Sequence, residues 1–490
     1  MFGKAIRFGA LMVAFIFILG GFSACERPAP SADETQSNLP TASSTASATA
    51  TPPLMIIDYA HLTVWSYSDD IKIMTQAFMD ASPYVRVDYI EFSTADEAYQ
   101  QAVLAAAGTQ KCPDVIVMDS SFVKRFVDSD LLYDLSELKP YADDLRSYAN
   151  TIETGTDGKT GEIRAYSYQN TPGAVFYRRS LAREYFGTDD PSEIQKLMSD
   201  WEKFTEMAET VKMKSGGKSY MLSSVDEFCT PFFNNRLSPW VVKNKLTIDP
   251  MIDQLMELAL AFGKNDYTAK ANQWEPGWFD AMSDSLKDAA GNPIKVFAYF
   301  LPTWGLRYVL APNAGDATKG DWACVPGPMP YSSGGTWLGV MKNASQTTIG
   351  TDFVRFCTLN EENLTDWATG VYTQQYLADL HSEFAMPIGS DALFQPAGDF
   401  VSSQKVAESI IPFFENSEMS DFLGGQNFYE AFAAIAPNLR ADVVQGDDER
   451  IQELFAETLH AYVYEGKSMD EMLIAFKNAV QTEDPGIMVD

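Results

Sequence analysis

The chain has few of the residues from which most catalytic and metal centres are built. Its 490 residues include three histidines and five cysteines. The histidines are His61, His381 and His460, and the cysteines are Cys25, Cys112, Cys229, Cys324 and Cys357. No two histidines have the spacing of metal ligands and no C-x-x-C pair occurs, so we expect no zinc site, redox motif or histidine-based catalytic centre. Although the four cysteines after Cys25 would allow several disulfide pairings, their isolation favours free buried thiols.

Positive charge is also scarce. The chain has 36 Lys and Arg residues against 67 Asp and Glu residues, and its formal net charge is −31 at pH 7. A surface of this kind repels nucleic acid and anionic lipid headgroups, so we expect no nucleic-acid partner. The charge identifies no ligand by itself, because most acidic side chains lie on solvated faces.

Fingerprints of nucleotide cofactors and of common hydrolases are missing as well. Gly158-Lys159-Thr160 ends like a phosphate-binding loop, but that motif requires a glycine where Glu153 stands, so a turn between two short strands is predicted. We find no serine elbow and no metal-binding helix. We therefore expect neither a cofactor nor a bound metal, and we do not expect an enzyme.

The apolar run at the N-terminus is too short to span a bilayer. Residues 1–24 begin with Lys4 and Arg7, continue through an apolar stretch at Phe8–Leu19 and end in small residues. A polar segment follows at once. This pattern predicts an export signal rather than a membrane span.

The residues Phe22–Cys25 resemble a bacterial lipoprotein cleavage box, although leucine is usual where Phe22 stands. The resemblance implies lipidation of Cys25 and stable attachment to a membrane surface. The alternative is a soluble secreted protein that is cleaved nearby. Residues 25–55 are rich in Ser, Thr, Ala and Pro. They bury too little apolar surface to offset the entropy of ordering, so we expect a flexible tether.

The stretch Leu62–Leu135 alternates strand and helix patterns. Short runs of Val, Ile and aromatic residues are each followed by a segment of helical period, which predicts a parallel sheet covered by helices. Ligands bind beyond the carboxyl ends of such strands, which places Trp65–Asp70 and Asp119–Ser121 at one binding edge. The apolar runs are Leu62–Trp65, Val85–Ile90 and Val115–Met118.

The remaining chain is long enough for a second core. At 490 residues a single core is not expected, so two lobes are predicted. Trp201, Phe204 and Met207 fall at helical spacing and indicate a helix that packs on a core. Trp274 and Trp278 flank a Pro-Gly pair at a helix start, where they either stack on a ligand or fasten the helix.

Six segments, taken in order, resemble the extracellular solute-binding proteins of ABC importers, and most of all their sugar-binding, maltose-binding-protein-like lipoproteins. The segments are LTVWSYSDD, PDVIVMD, YQNTPGAVFYRRSL, KVFAYFLPTWGL, GGTWLGV and GGQNFYEAFAAIAP. The resemblance covers essentially all of the mature chain, and it depends on order and spacing rather than on one segment. It implies an α/β, two-lobed periplasmic-binding-protein-like fold of type II, with a helix-flanked sheet in each lobe and a hinge between them.

The same resemblance implies how the chain is divided. Pro172-Gly173 would lie at the first crossing between the lobes and Gly334-Gly335 at the second, where glycine and proline suit a hinge. The divisions are a signal peptide (1–24), a lipidated cysteine with its tether (25–55), N-lobe segments 56–170 and 336–405, and C-lobe segments 171–335 and 406–490.

The resemblance also implies a monomer, lipid-anchored at the extracellular face of the bacterial cytoplasmic membrane, that delivers a carbohydrate to ABC permease subunits. A sugar has apolar C–H faces and a rim of hydroxyls, so its pocket needs flat aromatic surfaces beside carboxylates and amides. For each tryptophan, core packing is the competing interpretation. The candidate ligand-binding residues are Trp65, Asp70, Asp119, Gln169, Asn170, Trp304, Arg307, Trp337 and Gln426.

Two other functions stay open. A secreted carbohydrate-active enzyme would also carry aromatic residues in a cleft, and the sequence does not exclude a facing pair of carboxylates. A binding protein for a non-sugar solute, such as a peptide, a polyamine or a metal chelate, would share the fold. The many acidic residues keep a cationic ligand possible, whereas the aromatic loops favour a sugar.

Overall fold

A computed structural model of the protein describes residues 59–372, 397–446 and 448–489. The predicted signal segment, Cys25 and the tether lie outside the described residues. Ala60–Asp490 forms one compact unit. Among the helices described, none has an apolar stretch long enough to cross a bilayer.

Twelve strands are distributed over the described residues. They are β1 (Ala60–Ser66), β2 (Val85–Glu91), β3 (Val115–Asp119), β4 (Tyr166–Ser167), β5 (Gly173–Arg178), β6 (Ser219–Tyr220), β7 (Val241–Val242), β8 (Lys245–Leu246), β9 (Lys295–Val296), β10 (Ala298–Pro302), β11 (Trp322–Val325) and β12 (Thr336–Val340).

Helices make up most of the remaining structure. In the first half they are α1 (Asp69–Ala81), α2 (Glu97–Ala106), α3 (Val123–Val127), α4 (Lys139–Asp144), α5 (Ala149–Thr154), α6 (Arg179–Phe186), α7 (Pro191–Leu197), α8 (Trp201–Ser215) and α9 (Cys229–Asn234). In the second half they are α10 (Pro250–Lys264), α11 (Pro276–Met282), α12 (Thr303–Gly305), α13 (Ala311–Thr318), α14 (Thr347–Leu359), α15 (Glu361–Thr369), α16 (Gln404–Ile410), α17 (Glu418–Phe422), α18 (Phe428–Ile435), α19 (Asp448–Tyr464) and α20 (Met469–Glu483).

The first lobe is built on a five-stranded sheet in the order β2-β1-β3-β12-β4. Its first three strands are parallel, which confirms the prediction from the alternating segment near the N-terminus. Leu62 and Val64 alternate with more exposed neighbours because successive side chains point to opposite faces. Strand β12 returns from the second lobe and pairs antiparallel with β3 and β4. The sheet is therefore mixed rather than purely parallel.

The second lobe is built on the antiparallel sheet β10-β5-β11. All six residues of the central strand β5 are buried. Helix α8 begins after Asp200, whose carboxylate accepts the backbone N–H of Lys203, and buries Trp201, Phe204 and Met207 against this lobe. The helical spacing read from the sequence is thus confirmed. Four cysteines, Cys112, Cys229, Cys324 and Cys357, are free thiols, as predicted.

Two chain crossings run side by side between the sheets. The segment after β4 leads into β5, and the segment after β11 leads back into β12. Gly173 donates its backbone N–H to the carbonyl of Tyr331 at 2.7 Å, and Ser333 donates to the carbonyl of Thr171 at 3.1 Å. A third strand-like segment joins them, because Asn170 donates to the carbonyl of Phe400 at 2.8 Å. We call these three backbone hydrogen bonds the junction ladder.

Replacing Gly173 by alanine should destabilise the protein at this crossing. A Cβ atom there would lie 2.1 Å from a ring carbon of the buried Tyr331. We expect Gly173→Ala to lower the free energy of unfolding by about 1–3 kcal/mol. Urea denaturation measures the change, with Gly158→Ala as control because its new Cβ would lie 3.8 Å from the nearest atom. Equal effects of the two substitutions would contradict the crowding argument.

Candidate functional site

Loops from both lobes meet at the junction ladder. Ser120, which follows β3, donates its backbone N–H to the carbonyl of Gly335 at 3.0 Å. Trp304, in α12, donates its indole N–H to the carbonyl of Ser333 at 2.9 Å. A Cβ at Gly334 would lie 2.9 Å from that indole nitrogen, so glycine permits the close approach. The crossing thus brings the binding edge of the first sheet beside the start of α12.

Two tryptophans form an aromatic platform in the second lobe. The rings of Trp274 and Trp304 are 6.2 Å apart between centroids and within 13° of parallel. Trp274 is 50% exposed, and its backbone φ of +68° lies in the left-handed region that bulky residues rarely adopt. Such a conformation costs about 1–3 kcal/mol and is found mainly where surrounding structure or function requires it. We call Trp274 and Trp304 the tryptophan pair.

Polar side chains from the first lobe form a second group at this junction, which we call the wall. Tyr168 donates its hydroxyl to Asp70 at 2.6 Å, and Gln169 donates its amide to the Tyr168 hydroxyl at 2.7 Å and to Thr336 at 3.3 Å. Asp119 accepts the backbone N–H of the second residue after it at 2.9 Å. Burial raises the pKa of both carboxyls. The carboxyl of Asp70 and the amide of Gln169 are therefore held in place by the fully buried phenol of Tyr168.

Further carboxyls reach this region from distant parts of the chain. Burial and the charge of Asp70 raise the pKa of Asp399 to about 7, although Asp399 accepts the indole N–H of Trp367 at 2.7 Å. Burial and the charge of Asp119 likewise raise the pKa of Glu449, at the start of α19, to about 7. Carboxyls with such pKa values are partly protonated near neutral pH, so they can donate as well as accept hydrogen bonds.

Two of the amides predicted to bind ligand are fully engaged within the protein. The side chains of Asn170 and Asn150 bond each other reciprocally, at 2.9 and 3.2 Å. Gln426 accepts the backbone N–H of Cys324 at 2.8 Å and donates to its carbonyl at 2.7 Å. The first pair fastens the crossing and the second extends the edge strand β11. We therefore leave both residues out of the site that we propose.

Two of the predicted tryptophans lie against the first sheet. Trp337, on β12, is 5% exposed and donates its indole N–H to the carbonyl of Thr151 at 3.0 Å. Trp65, on β1, is half-buried and packs on Phe92 with ring centroids 5.3 Å apart. Core packing, the competing interpretation in the sequence, describes both positions. We therefore leave Trp337 out of the site that we propose, and Trp65 stays a prediction.

The other predicted residues gather around the junction ladder. They are Asp70, Asp119, Gln169, Trp304 and Arg307. Arg307 donates to the backbone carbonyl of Ala397 and lowers the pKa of the nearby Asp399. Arg307 therefore joins the second lobe to the return segment that contains Asp399.

Several residues of this region were not identified from the sequence. Tyr168 lies within the same short segment as Gln169, so its position was available from the pattern. Tyr308, the residue after Arg307, is 63% exposed, and no sequence pattern indicated a role for it. Asp399 and Glu449 come from the distant second half of the chain, and no motif marks them. For Trp274 the sequence left two interpretations open, stacking on a ligand and packing at a helix start.

A surface groove of about 460 Å³ lies away from the junction, between α1, α14 and α15. Its lining combines Phe78 and Phe356 with Asp352, Arg355 and Asp366. These residues all belong to helices that cover the first sheet. Because the groove takes no residue from the second lobe, we place the candidate site at the junction. Within the described ranges, no group of three His, Cys, Asp or Glu residues is arranged to hold a metal ion.

Comparison with known proteins gives one family and many related structures. The sequence profile described as bacterial extracellular solute-binding protein matches residues 74–387. A solved structure of an extracellular solute-binding protein of family 1 is 19% identical, with a TM-score of 0.68, and the match covers 88% of this chain and 100% of that one. A comparison with curated protein sequences gives no match.

Two further structures are similar in fold. The sugar-binding protein MalE from the phytopathogen Xanthomonas citri is 15% identical with a TM-score of 0.62, covering 87% of this chain and 97% of that one. An ABC transporter associated binding protein from B. animalis subsp. lactis, in complex with β-1,6-galactobiose, is 17% identical with a TM-score of 0.56, covering 88% and 100%. Their similarity establishes the two-lobed fold predicted from the sequence.

The pH dependence of stability should report the carboxyl at Asp399. Its pKa is raised to about 7 in the folded protein, so the folded state binds this proton more tightly than the unfolded state does. Its contribution to stability is therefore present at low pH and is lost as pH rises from about 4 to about 7. We expect the free energy of unfolding of Asp399→Asn to fall less with rising pH than that of wild type. Relative to wild type, the variant should therefore be more stable at about pH 8 than at about pH 5.

Urea denaturation at the two pH values measures this difference. Glu206→Gln, at an exposed position of α8, is the control and should leave the pH dependence unchanged. An Asp399→Asn variant with the same pH dependence as wild type would show that the carboxyl titrates normally.

Proposed function

The chain belongs to the bacterial extracellular solute-binding proteins, and we propose on that basis that it captures a carbohydrate between its lobes and delivers it to an ABC permease. The observation that carries the proposal is that the tryptophan pair of the second lobe and the carboxyl and amide groups of the first lobe are both anchored at the crossing between the lobes. Stacking on aromatic rings suits the C–H faces of a sugar, and the wall suits its hydroxyls.

The extent of the aromatic surface favours an oligosaccharide over a single sugar. The rings of the tryptophan pair stack on each other, and Trp274 is 50% exposed. Tyr308, four residues after Trp304, is a second exposed ring at 63%. A single pyranose ring covers about one indole, whereas several sugar units would use the whole surface. The partly protonated carboxyls of Asp399 and Glu449 supply hydrogen-bond donors at the rim.

Binding would be coupled to closure of the two lobes. A ligand shifts an equilibrium between open and closed forms only by its preference for one of them, so it must contact both lobes at once. Trp304 lies in the second lobe and Asp70 and Asp119 in the first. The crossing at Pro172-Gly173 is the segment that would bend. The closed form would then present both lobes to the permease.

We further propose that the protein is held at the extracellular face of the membrane through a lipidated Cys25. The support is the resemblance of Phe22–Cys25 to a lipoprotein cleavage box and the Ser, Thr, Ala and Pro-rich segment that follows. A flexible segment of that composition would give the receptor reach above the membrane. The family description is consistent with an extracellular location.

Glycoside hydrolysis is the second candidate function. The observation that favours it is the pair Asp70 and Asp399, in which burial and then the charge of Asp70 raise the pKa of Asp399 to about 7. Glycosidases use two carboxyls of unequal pKa, one of them protonated. The family assignment favours capture without chemistry.

Calorimetric titration of the protein beginning at Glu26 distinguishes these functions. The probes are a panel of mono- and oligosaccharides, with peptides and polyamines titrated beside them. Each sugar is recovered afterwards and checked for hydrolysis products. Saturable binding with intact sugar supports the proposal. Hydrolysis would establish the second candidate, and binding only of peptides or polyamines would overturn the choice of carbohydrate.

Truncating Trp304 should weaken sugar binding. We expect Trp304→Ala to lower affinity by about tenfold or more, because one aromatic stacking surface is worth about 1–3 kcal/mol. The measurement is calorimetry with the tightest sugar of the panel. Tyr84→Ala, which removes a 70% exposed ring after α1, is the control and should bind as wild type does. Unchanged affinity of Trp304→Ala would remove the tryptophan pair from the site.

Substituting Cys25 should release the protein from the membrane. We expect Cys25→Ser in the full chain to move most of the protein from the membrane fraction to the soluble fraction, because one or two acyl chains supply the attachment. Cys112→Ser is the matched control, since it removes a cysteine from the folded part. Membrane association that persists in Cys25→Ser would contradict lipid anchoring at this residue.

A further inference from the structure

Glu227 is a buried carboxylate in the second lobe that the proposed binding mechanism does not use. It is 2% exposed and lies in a short turn of helix before α9. One carboxylate oxygen accepts the indole N–H of Trp278 at 2.8 Å and the hydroxyl of Ser223 at 2.7 Å. The other oxygen accepts the backbone N–H of Phe300 at 2.8 Å. Both oxygens are therefore used, and each bonds a different part of the chain.

The two parts of the chain that Glu227 bonds are those that carry the tryptophan pair. Trp278, in α11, is fully buried and packs on Trp274, with ring centroids 4.9 Å apart. Phe300 lies on β10, four residues before Trp304 and on the strand that leads directly into α12. The Glu227 carboxylate thus bonds both Trp278, which packs on Trp274, and the strand that precedes Trp304.

The surroundings of Glu227 supply hydrogen bonds rather than positive charge. The titratable groups that face it are Asp226, Tyr299 and Tyr331. A buried carboxylate held in this way is costly, and an apolar residue of similar size often packs as well or better. The distinctive property of a carboxylate here is that both of its oxygens accept, since an amide can accept on one side only.

We propose that Glu227 is a positioning residue for the tryptophan pair. Its carboxylate holds the α11 and β10 segments in register, so that the rings of Trp274 and Trp304 stay parallel. The effect on sugar affinity rests on the proposed function, whereas the arrangement of the rings is a property of the free protein.

Protonation should loosen this arrangement. Burial raises the pKa of Glu227 to about 7. A proton on Oε2 places a donor against the backbone N–H of Phe300, whereas a proton on Oε1 has to be donated to Ser223, whose hydroxyl must turn to accept it. Either change alters the hydrogen bonds that hold the two segments. The rings should therefore move apart as pH falls from about 8 to about 6. The same pH change in a Glu227→Gln variant should have no such effect.

Fluorine NMR of protein labelled with fluorotryptophan tests the proposal without a ligand. Each of the nine tryptophan signals is assigned by a Trp→Phe substitution. In Glu227→Gln we expect the signals of Trp274, Trp278 and Trp304 to move together, because ring-current shifts depend on stacking, while the signal of Trp337 stays. In wild type the same three signals should titrate with a midpoint near pH 7. Movement of Trp278 alone would overturn the proposal.

A matched variant separates positioning from simple destabilisation. Asp114 is also a buried carboxylate with three donors, from Thr63, Ser345 and Gln346, but it lies in the first lobe. We expect Glu227→Gln to lower affinity for the tightest sugar about five- to tenfold, the value of about one hydrogen bond. Asp114→Asn should retain wild-type affinity.

Affinity and NMR measurements together distinguish failure of this proposal from failure of the proposed function. Equal losses of affinity in the two variants would overturn positioning by Glu227. If wild type bound no sugar at all, the proposed function would fail, and the NMR titration alone would decide whether Glu227 positions the pair. If Glu227→Gln did not fold, the wild-type titration would still decide, and an absence of movement near pH 7 would overturn the proposal.

Discussion

The junction ladder is the constraint on which the rest of the structure depends. Backbone hydrogen bonds from Asn170, Gly173 and Ser333 tie the two crossings and the return segment into one strip between the sheets. Because backbone groups that leave one sheet must be paired before they enter the next, the crossings pair with each other. The same strip carries Gly334, against which Trp304 rests. The hinge and the candidate site are therefore built from the same residues.

Electrostatics add a second constraint at the same place. Two pairs of carboxyls interact here, Asp70 with Asp399 and Asp119 with Glu449, and burial raises the pKa of each group. Bringing carboxyls together in a region of low dielectric disfavours ionisation, so the site depends on hydrogen bonds from Tyr168 and Trp367. A sugar, rich in hydroxyls, would meet these groups without adding charge.

Much of the fold was predictable because it follows from local pattern. The alternation near the N-terminus led to β1, β2 and β3, and the spacing of Trp201 and Phe204 led to α8. The residues of the site were harder to predict from the sequence. Asn170 and Gln426 are the right residue type, but whether an amide faces a ligand or a neighbouring backbone depends on contacts distant in sequence. Asp399 meets Asp70 only through the folded chain, and local pattern contains no trace of that contact.

Hydrogen–deuterium exchange of the protein beginning at Glu26, with and without a mixture of gluco- and galacto-oligosaccharides, tests the central claim most directly. We predict added protection in both lobes next to the junction ladder, in peptides that contain Ser120, Gly173 and Trp304, because ligand closes the lobes across it. Protection confined to one lobe, or to the groove between α1, α14 and α15, would contradict capture between the lobes.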